Sequence, residues 1–433
     1  MKKFNISNVK RIHFIGIGGV GISALARLLL HEKKEISGTN DNPSPETLDE
    51  LRSQGVQISL DQNPTHLPEA DLYIFSDAWL TMNPAIIEAA KQKGVPVLSY
   101  FQALGKIANK YYLIAVAGAH GKTTTTAMLV DILEDAGKDP TAIVGSLRTK
   151  TKSNFRAGKS DYFIAEADEY QRHFLNLVPK ILVITNIEAD HLDYYKNLVD
   201  IQNAFSELVS KIPEDGFLIC NPVDPKVKPA LKSAKCQIIN YSKVKNNFKL
   251  KFPGQHNIEN AKTAFAVAKV LGIPEEKIIT ALKNYQGVWR RFEFKGKTKI
   301  GALVYDDYAH HPTEIKTTLK AFREKFPNKK LVVVFQPHLF SRTKLLLNEF
   351  AKSFNEADKI ILAPIYKARE EDDGSISSKV LAEKIKQKGG RVLALENFRK
   401  IVDYLMVNFG KNYVIILMGA GDIYKVGERL LGL

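Results

Sequence analysis

The sequence predicts an α/β protein with three domains, and three features lead to this class. The chain is 433 residues long, which exceeds what a single hydrophobic core usually contains. Two glycine-rich turns each lie between a short apolar run and a helical segment, as in a strand–turn–helix unit. In the last third of the chain, short apolar runs again alternate with helical segments and end in polar clusters. We therefore expect domains over residues 1–107, 108–294 and 295–433.

Composition argues against several classes of protein. The net charge is +15, but the basic residues are dispersed and not interleaved with aromatic residues, so no nucleic-acid partner is expected. No apolar stretch is long enough to cross a bilayer, so membrane insertion is not expected either. The two cysteines, Cys220 and Cys236, lack metal-ligand spacing and fit free thiols in a cytoplasmic protein.

The first glycine-rich turn stands between a predicted strand, Arg11 to Ile17, and a predicted helix, Ser23 to His31. Backbone N–H groups in such a turn, together with the helix N-terminus, bind a diphosphate. The pattern by itself fits NAD, FAD or any other pyrophosphate. Residues 1–107 are therefore predicted to form a Rossmann-like domain that binds a diphosphate-bearing ligand through Gly16, Gly18, Gly19 and Gly21.

Two more candidate contacts for this ligand follow strands of the first domain. The second strand ends near Asn40 and Asp41, and either residue stands where dinucleotide-binding domains place an acid. Ser76 closes the predicted strand Leu72 to Ser76. The carboxyl ends of parallel strands face the ligand in such domains, which makes these positions candidates.

The second glycine-rich turn follows the apolar run Leu113 to Ala117 and resembles a phosphate-binding loop of an ATPase. Lys122 is expected to reach the terminal phosphates and the Thr123 hydroxyl to bind Mg²⁺. The turn is shorter than the full P-loop pattern, because Val116 stands where the first glycine would fall. Four threonines at the helix start favour capping or ligand binding over a plain loop that begins a helix. The turn consists of Gly118, Ala119, His120, Gly121, Lys122, Thr123 and Thr124.

Acids and a histidine follow the next two predicted strands. Glu166 ends the strand that begins at Asp161, and His191 follows the strand Ile181 to Thr185. Both are candidates for metal binding or catalysis, against the alternatives of a solvated carboxylate and a structural histidine. Further on, Asn257 precedes a predicted helix, Ile258 to Leu271, as its N-cap, as a contact to a nucleotide base, or as both.

The last domain is predicted to be doubly wound, with polar clusters after its strands. The strand Leu303 to Tyr305 leads into Asp306, Asp307, His310 and His311. These residues are too close in sequence to converge on one ion, so a substrate loop is preferred to a metal site. His338 and Arg342 follow the strand Leu331 to Phe335.

Nine motifs, in order along nearly the whole chain, resemble those of the Mur ligases, the ATP-dependent amide-forming enzymes of peptidoglycan precursor synthesis. They are HFIGIGGVGISALA (13–26), GAHGKTTTT (118–126), EADE (166–169), TNIEADHLD (185–193), PGQHNIENA (253–261), RRFE (290–293), DDYAHHPTE (306–314), FQPHLFSRT (335–343) and GAGD (419–422). The resemblance is strongest to members that join L-alanine to the lactyl carboxylate of UDP-N-acetylmuramate through an acyl phosphate. It implies a UDP-binding domain, an ATP-binding domain, and a C-terminal domain that closes over the site.

The resemblance also implies roles for individual residues, with ATP and Mg²⁺ as cofactors and the nucleotide sugar and L-alanine as substrates. Lys122, Glu166 and His191 would be catalytic, and Thr123, Glu166 and His191 would hold Mg²⁺. ATP contacts would include Asn257, Arg291 and Asp307, and the other substrates would meet His310, His338 and Arg342. The glycines of the first turn, Asn40 and Ser76 would contact the UDP moiety.

The chain departs from the Mur ligase pattern at two positions. Thr39 and Asn40 stand where Ser-Asp is usual, and Leu339 stands where many members have a second arginine. We find no counterpart of the carbamoylated lysine known from other Mur ligases.

Three alternatives remain at the level of sequence. A sibling ligase would attach a tripeptide or another amino acid to the same nucleotide sugar. A dehydrogenase would use the first glycine turn but leaves the second turn unexplained. A non-catalytic nucleotide-dependent protein would leave the acids and the histidine without a role. The chain is expected to act as a monomer or a homodimer.

Overall fold

The computed structural model describes residues 4–41, 45–245, 248–368 and 370–433, and these form three mainly parallel sheets flanked by helices. The chain divides into two compact units. The first comprises Met1–Lys249 and Glu259–Gln286 and contains two sheets, and the second comprises Leu250–Ile258 and Gly287–Leu433 and contains one. The predicted three-domain α/β class is confirmed.

The first sheet is wholly parallel, with the strand order β3-β2-β1-β4-β5. The predicted strand Arg11 to Ile17 is shorter than expected. It ends at Ile15, because Gly16 turns the chain with φ +80° and its N–H donates to Thr39 O at 2.8 Å. The elements are β1 (Arg11–Ile15), α1 (Val20–His31), β2 (Glu35–Thr39), α2 (Pro45–Ser53), β3 (Gln57–Ser59), β4 (Leu72–Phe75), α3 (Trp79–Met82), α4 (Pro84–Gln92), β5 (Val97–Ser99) and α5 (Tyr100–Ala108).

The second sheet has the order β12-β11-β10-β6-β9-β7-β8 and is parallel except for the β7–β8 pair. Its central strand β6 is fully buried from Leu113 to Ala117, as a strand covered on both faces requires. The elements are β6 (Tyr112–Ala117), α6 (Lys122–Asp135), β7 (Thr141–Arg148), β8 (Ser153–Arg156), β9 (Tyr162–Ala167), β10 (Ile181–Ile184), α7 (Leu198–Val209), β11 (Phe217–Cys220), β12 (Gln237–Asn240), α8 (Gln255–Val270) and α9 (Glu275–Asn284).

The third sheet has the order β13-β14-β18-β15-β16-β17, with only the edge strand β13 antiparallel. The predicted strand Leu303 to Tyr305 continues through Asp306 and Asp307, because both carboxylates have protein partners and can be buried. The elements are β13 (Glu293–Lys297), β14 (Leu303–Asp307), α10 (Pro312–Lys325), β15 (Lys330–Phe335), α11 (Phe340–Leu345), α12 (Leu347–Ala351), β16 (Lys359–Leu362), α13 (Ser378–Gln387), β17 (Val392–Ala394), α14 (Phe398–Asn408), β18 (Tyr413–Met418) and α15 (Tyr424–Leu431).

Two global expectations can be compared with the structure. Cys220 and Cys236 are both free, as predicted. Among the residues that the structure describes, no helix combines the length and apolar character needed to cross a membrane.

A buried ion pair holds the strand ends of the second unit together. Arg290 Nε donates to Asp306 Oδ2 at 2.9 Å, and its NH1 and NH2 donate to Gly421 O and Gly419 O at 2.7 and 2.6 Å. Burial raises the pKa of Asp306 to about 6, although the guanidinium of Arg290 opposes that shift. Arg290 therefore joins the end of β14 to the loop after β18.

We expect Arg290→Met to destabilise the second unit by about 3–5 kcal/mol, because it leaves Asp306 buried without its counter-charge. Trp79 and Trp289 are the two tryptophans of the chain, so a Trp79→Phe background makes fluorescence report on the second unit during urea unfolding. Lys400→Ala is the control, since it removes an exposed pair with Glu396 and should change stability by less than about 1 kcal/mol. Equal midpoints for the two variants would contradict the role of Arg290.

Candidate functional site

The turn between β6 and α6 is built as a phosphate-binding turn requires. Gly121 is the N-cap of α6 with φ +85°, and a Cβ on it would lie 2.4 Å from Asn260 Oδ1. Gly118 has φ +132°, and a Cβ there would lie 2.1 Å from Thr185 Oγ1. Both positions thus require glycine for conformation and for space. Capping by the threonines was the wrong expectation, because they lie within α6 and Gly121 occupies the cap.

Three residues from other elements fix the path of the turn. Asn186 Oδ1 accepts from the His120 N–H at 3.0 Å, and its Nδ2 donates to His120 O at 2.9 Å. Thr185 Oγ1 donates to the same carbonyl at 2.7 Å. Asn260 in α8 contacts Thr125 Oγ1 at 3.3 Å, one turn into α6. None of these three was selected from the sequence as a site residue.

Lys122 is half-buried in the site and already paired. Its Nζ donates to Glu169 Oε2 at 2.8 Å, to Glu169 Oε1 at 2.9 Å and to Gly118 O at 2.6 Å. Burial disfavours the charged ammonium, but Glu169 and Asp168 outweigh burial and hold the pKa of Lys122 above its usual value. The ammonium is therefore a preformed positive charge at the start of α6.

Glu166 faces the same turn from the end of β9. Its Oε2 accepts from Thr123 Oγ1 at 2.9 Å, and its Oε1 accepts from the Gly145 N–H at 2.5 Å. The β6–β9 register pairs Val116 with Glu166, so the carboxylate lies level with the beginning of the turn. The structure thus brings the predicted partners Thr123 and Glu166 into direct contact.

His191 lies with a different set of acids from the one predicted. Its Nε2 is 3.7 Å from Glu169 Oε1 and 3.9 Å from Asp190 Oδ2, and its own φ is +55°. Ligand atoms of Asp168, Glu169 and His191 all lie within 4.8 Å of one another. The Lys122 ammonium already lies against Glu169, so protein balances the charge of one of the two acids in this group.

The first glycine turn is closed by Asn40. Its Oδ1 accepts from the Gly18 N–H at 3.1 Å, and a Cβ on Gly18 would lie 2.5 Å from its Nδ2. Asn40 is buried, whereas its neighbour Asp41 is exposed. Of the two alternatives at the end of the second strand, Asn40 is the one that contacts the turn. Ser76 follows β4, and its N–H donates to Ile15 O at 2.9 Å beside the same turn.

Arg27 joins this turn to the second sheet. The buried guanidinium donates to Asn154 Oδ1 in β8 at 2.5 Å and to Thr47 O at 2.9 Å. Thr47 Oγ1 in turn donates to Gly18 O at 2.8 Å. Through Arg27 and Thr47, the glycine turn is therefore connected to strand β8 of the second sheet, which belongs to the same unit.

His173 forms a second junction between the two sheets. Burial disfavours its charged form, but Asp168 and Asp77 outweigh burial and raise the pKa of His173 to about 9. The imidazolium lies 3.6 Å from a carboxylate oxygen of each acid.

In the second unit, four predicted site residues form one connected group: Arg291, His310, His338 and Arg342. Glu314, which was not predicted as a site residue, links the first two. Glu314 lies 3.5 Å from Arg291 NH1 and 3.3 Å from His310 Nδ1. The His310 and His338 rings are 6.1 Å apart, and His338 Nδ1 lies 3.5 Å from Arg342 NH1. Glu314 also completes the capping box of α10, which explains its fixed position.

Asp307 and Asn257 make contacts within the second unit. Asp307 is buried, and it accepts from the Phe292 and Ala309 N–H groups at 2.8 and 2.9 Å. Helix α8 begins at Gln255, so the N-cap expectation for Asn257 is wrong: it is the third helical residue. Its Nδ2 donates to Pro253 O at 2.7 Å, which draws the preceding loop onto the helix.

Sequence reasoning missed the residues whose importance depends on contacts between distant segments. Glu169 lay inside the EADE motif beside Glu166, but only the fold shows that it is the partner of Lys122. Asn186 and Asn260 likewise stood in recognised motifs without an assigned role. Glu314 closed the DDYAHHPTE motif without an assigned role, and Arg27 and Asn154 lay outside every motif that was recognised.

Three family descriptions match consecutive parts of the chain. "Mur ligase family, catalytic domain" matches residues 11–112, "Mur ligase middle domain" matches residues 116–251, and "Mur ligase, glutamate ligase domain" matches residues 290–421. Together they cover the three sheets described above.

Curated relatives and solved structures are similar along nearly the whole length. A UDP-N-acetylmuramate–L-alanine ligase of Clostridium botulinum (strain Langeland / NCTC 10281 / Type F) is 42% identical over 98% of both chains. The same-named protein of Caldanaerobacter subterraneus subsp. tengcongensis is 40% identical over 99% of both. The crystal structure of MurC from Thermotoga maritima superposes with a TM-score of 0.82 at 29% identity, over 98% of this chain and 99% of that one.

A second solved structure, the murein peptide ligase mpl of Psychrobacter arcticus, superposes with a TM-score of 0.74 at 26% identity, over 97% of this chain and 98% of that one. The ordered motifs, the three family matches and the full-length identity therefore agree: this chain belongs to the Mur ligase family.

Proposed function

We propose that this chain is an ATP-dependent ligase that joins L-alanine to the lactyl carboxylate of UDP-N-acetylmuramate in peptidoglycan precursor synthesis. The observation that carries the proposal is 42% identity over 98% of the chain with an enzyme named for that reaction. The turn at Gly118 to Thr124, with its half-buried lysine, supports the use of a nucleoside triphosphate. Domain boundaries near residues 107 and 294 are part of the proposal.

ATP binding is assigned first to the turn itself. Backbone N–H groups from Gly118 to Thr124 and the positive end of α6 suit the phosphates. Lys122 would offset the negative charge of the transferring phosphoryl group, a form of electrostatic stabilisation. Asn257, Arg291 and Asp307 are assigned to the rest of the nucleotide on the resemblance alone.

The side chains near Thr123 fit a magnesium ion in part. Thr123 Oγ1 and Glu166 Oε2 are oxygen donors 2.9 Å apart, and Mg²⁺ is usually held by one or two protein oxygens. His191 offers nitrogen, which suits transition metals better, and its ring lies against Glu169. We keep Thr123, Glu166 and His191 as the proposed set. When bound, the ion would neutralise charge on the phosphate oxygens.

The proposed reaction has two steps. A lactyl carboxylate oxygen attacks the γ-phosphorus of ATP, ADP leaves, and an acyl phosphate forms. The L-alanine amine, after losing a proton, attacks the acyl carbon, and inorganic phosphate leaves. The chain contributes mainly by orienting the two reactants, since proximity supplies much of the rate in such transfers.

The UDP moiety is assigned to the first glycine turn and its neighbours. Gly16, Gly18, Gly19 and Gly21 supply backbone for close approach of a diphosphate, with Asn40 and Ser76 beside them. Asn40 is a neutral amide where dinucleotide-binding domains carry an acid, which favours a ligand other than NAD. His310, His338 and Arg342 are assigned to the carboxylates of the remaining substrates.

A sibling function is the second candidate, because the murein peptide ligase of Psychrobacter arcticus shares the fold along 97% of this chain. Such an enzyme would attach a peptide rather than L-alanine. The lower identity, 26% against 42%, makes it the less supported of the two. We place the reaction in the cytoplasm, in a monomer or homodimer, in keeping with the free thiols.

The deciding experiment measures phosphate release from ATP with UDP-N-acetylmuramate, with and without L-alanine. Release that depends on L-alanine, together with mass spectrometric detection of the alanyl product, is expected. A tripeptide that replaces L-alanine as the better acceptor would favour the sibling function. Binding of NAD(P)H with no release under any condition would overturn both in favour of a dehydrogenase.

Lys122→Ala is expected to lower kcat by about 10²–10³, because one stabiliser of the transferring charge is lost. Binding of UDP-N-acetylmuramate, measured by calorimetry, should change little, since its proposed contacts lie on the first sheet. Lys386→Ala is the control, as this lysine is exposed and pairs with the exposed Glu383. Full turnover by Lys122→Ala would remove the turn from the ATP site.

Gly121→Ala is expected to raise the KM for ATP at least about tenfold, because a Cβ there displaces Asn260 and forces the turn to shift. Gly389→Ala is a matched control. Gly389 also has φ +85°, but no atom lies within 4 Å of a Cβ placed on it. The control therefore carries the same backbone strain without disturbing the turn. An unchanged KM for ATP in Gly121→Ala would show that the turn's shape is not needed for ATP.

Arg342→Lys is expected to raise the KM for UDP-N-acetylmuramate or L-alanine more than the KM for ATP. A guanidinium binds a carboxylate through two parallel hydrogen bonds that lysine cannot reproduce, and the loss should be about 2 kcal/mol. Leu339 stands where many Mur ligases have a second arginine, so a guanidinium at that position cannot replace Arg342. Steady-state kinetics with each substrate varied in turn is the measurement. If the KM values for all three substrates are unchanged, Arg342 is a surface arginine without a role in substrate binding.

A further inference from the structure

His173 lies at a junction between the first two sheets of the first unit. Its Nε2 is 3.6 Å from Asp77 Oδ1, and its Nδ1 is 3.6 Å from Asp168 Oδ2. Its ring stacks on Phe101, with centroids 3.8 Å apart and planes inclined by 13°. Asp77 follows β4 and Phe101 lies in α5, both of the first sheet's layer, whereas Asp168 follows β9 of the second sheet. One side chain therefore contacts both layers.

The segment that carries His173 is held in a strained shape. Gln171 and Arg172 both have positive φ, at 49° and 59°, which costs free energy for residues other than glycine. Arg172 is fixed by Asp200 at 2.9 Å and Glu207 at 3.1 Å, both in α7. Such a conformation persists only where surrounding contacts impose it, so the position of the His173 ring is imposed by the fold.

Helix α5 packs directly on the same segment. A Cβ on Gly105 would lie 2.4 Å from Asn176 O, so the helix and the segment are in close contact. Asn109 Nδ2 donates to that carbonyl at 2.9 Å, and Asn109 Oδ1 accepts from the Val178 N–H at 2.8 Å. The junction is therefore a packed interface, with His173 as its charged centre.

The two acids beside His173 adjoin the two halves of the proposed active site. Asp77 immediately follows Ser76, the proposed contact to the UDP-linked substrate. Asp168 immediately precedes Glu169, which holds Lys122 at 2.8 Å. A shift of either carboxylate thus moves a residue next to one reactant.

Charge explains why a histidine is needed here. Two carboxylates that face the same small space repel each other unless a cation lies between them. Asp168 also faces Lys122 and His191, but Asp77 has the His173 ring as its described ion-pair partner. A neutral side chain at position 173 would remove the cation between the two carboxylates and, with it, the described ion-pair partner of Asp77.

We propose that His173 is a positioning residue: by bridging Asp77 and Asp168 on the face of Phe101, it sets the distance between the loop at Ser76 and the phosphate turn at Lys122. It does not contact the proposed reacting atoms and acts through its two acids. This inference rests on the proposed function only for the identity of the reactants that the two loops hold.

The test compares three variants of the full chain with a matched control. His173→Gln removes the charge and is expected to lower kcat/KM for UDP-N-acetylmuramate about tenfold, while the KM for ATP changes less than about twofold. Asp77→Asn should act in the same direction. In the double variant, His173→Gln with Asp77→Asn, the losses of kcat/KM should not add. The neutral side chains at positions 77 and 173 no longer repel Asp168. His66→Gln is the control, since it breaks the exposed His66–Asp61 pair of the same unit, at 2.6 Å.

A second readout does not depend on the reaction. Amide hydrogen exchange of residues 76–82 should be faster in His173→Gln than in the unmodified chain and unchanged in His66→Gln. Additive losses of kcat/KM in the double variant would overturn the positioning role. Equal losses of kcat/KM for ATP and for the UDP-linked substrate, together with a lower unfolding midpoint, would also overturn it and leave a structural role. If the unmodified chain shows no turnover, the proposed function fails, whereas the exchange result still decides whether His173 fixes the loop after β4.

Discussion

The candidate site depends on one ion pair, that of the half-buried Lys122 with the buried Glu169. A charged side chain removed from water is tolerated only when it is paired and hydrogen-bonded. The sheet provides the partner, because β9 lies beside β6 and ends at the level where the turn begins. The glycines, the asparagines that hold the turn and the acids after β9 all serve to keep this ammonium at one place.

This pair has a consequence for any polyphosphate that enters the turn. The ammonium is preformed and needs no search for its position, which favours rapid electrostatic stabilisation. At the same time, the phosphate competes with Glu169 for the same donors. The His191 ring remains beside Glu169, with Nε2 at 3.7 Å from Oε1. In the structure, the carboxylate of Glu169 after β9 is therefore the partner that a polyphosphate would have to replace at Lys122.

The second unit also places a basic side chain against a carboxylate at the end of a strand. Arg290 is buried with Asp306 and adopts a positive φ of 59°, and Leu339, before α11, has φ +72°. Backbone strain of this kind concentrates at functional sites, where surrounding contacts must hold it. Just after β14, the Tyr308 N–H donates to Arg290 O at 2.6 Å. This strand end therefore helps to set the positions of Arg291 and His310, the two residues beside Glu314.

The sequence predicted the elements well and their contacts poorly, for physical reasons. Apolar runs and glycine turns reveal strands and helices because these are local properties, so the three sheets and both turns were found. Element ends depended on interactions across the chain: Gly16 stops β1 through Thr39, and Arg290 allows β14 to continue through two acids. Asn40 was one of two open choices, and only the meeting of β2 with the glycine turn decided between it and the exposed Asp41. That outcome also bears on chemistry, because the neutral amide of Asn40 brings no negative charge to the turn and its Oδ1 accepts from the Gly18 N–H at 3.1 Å.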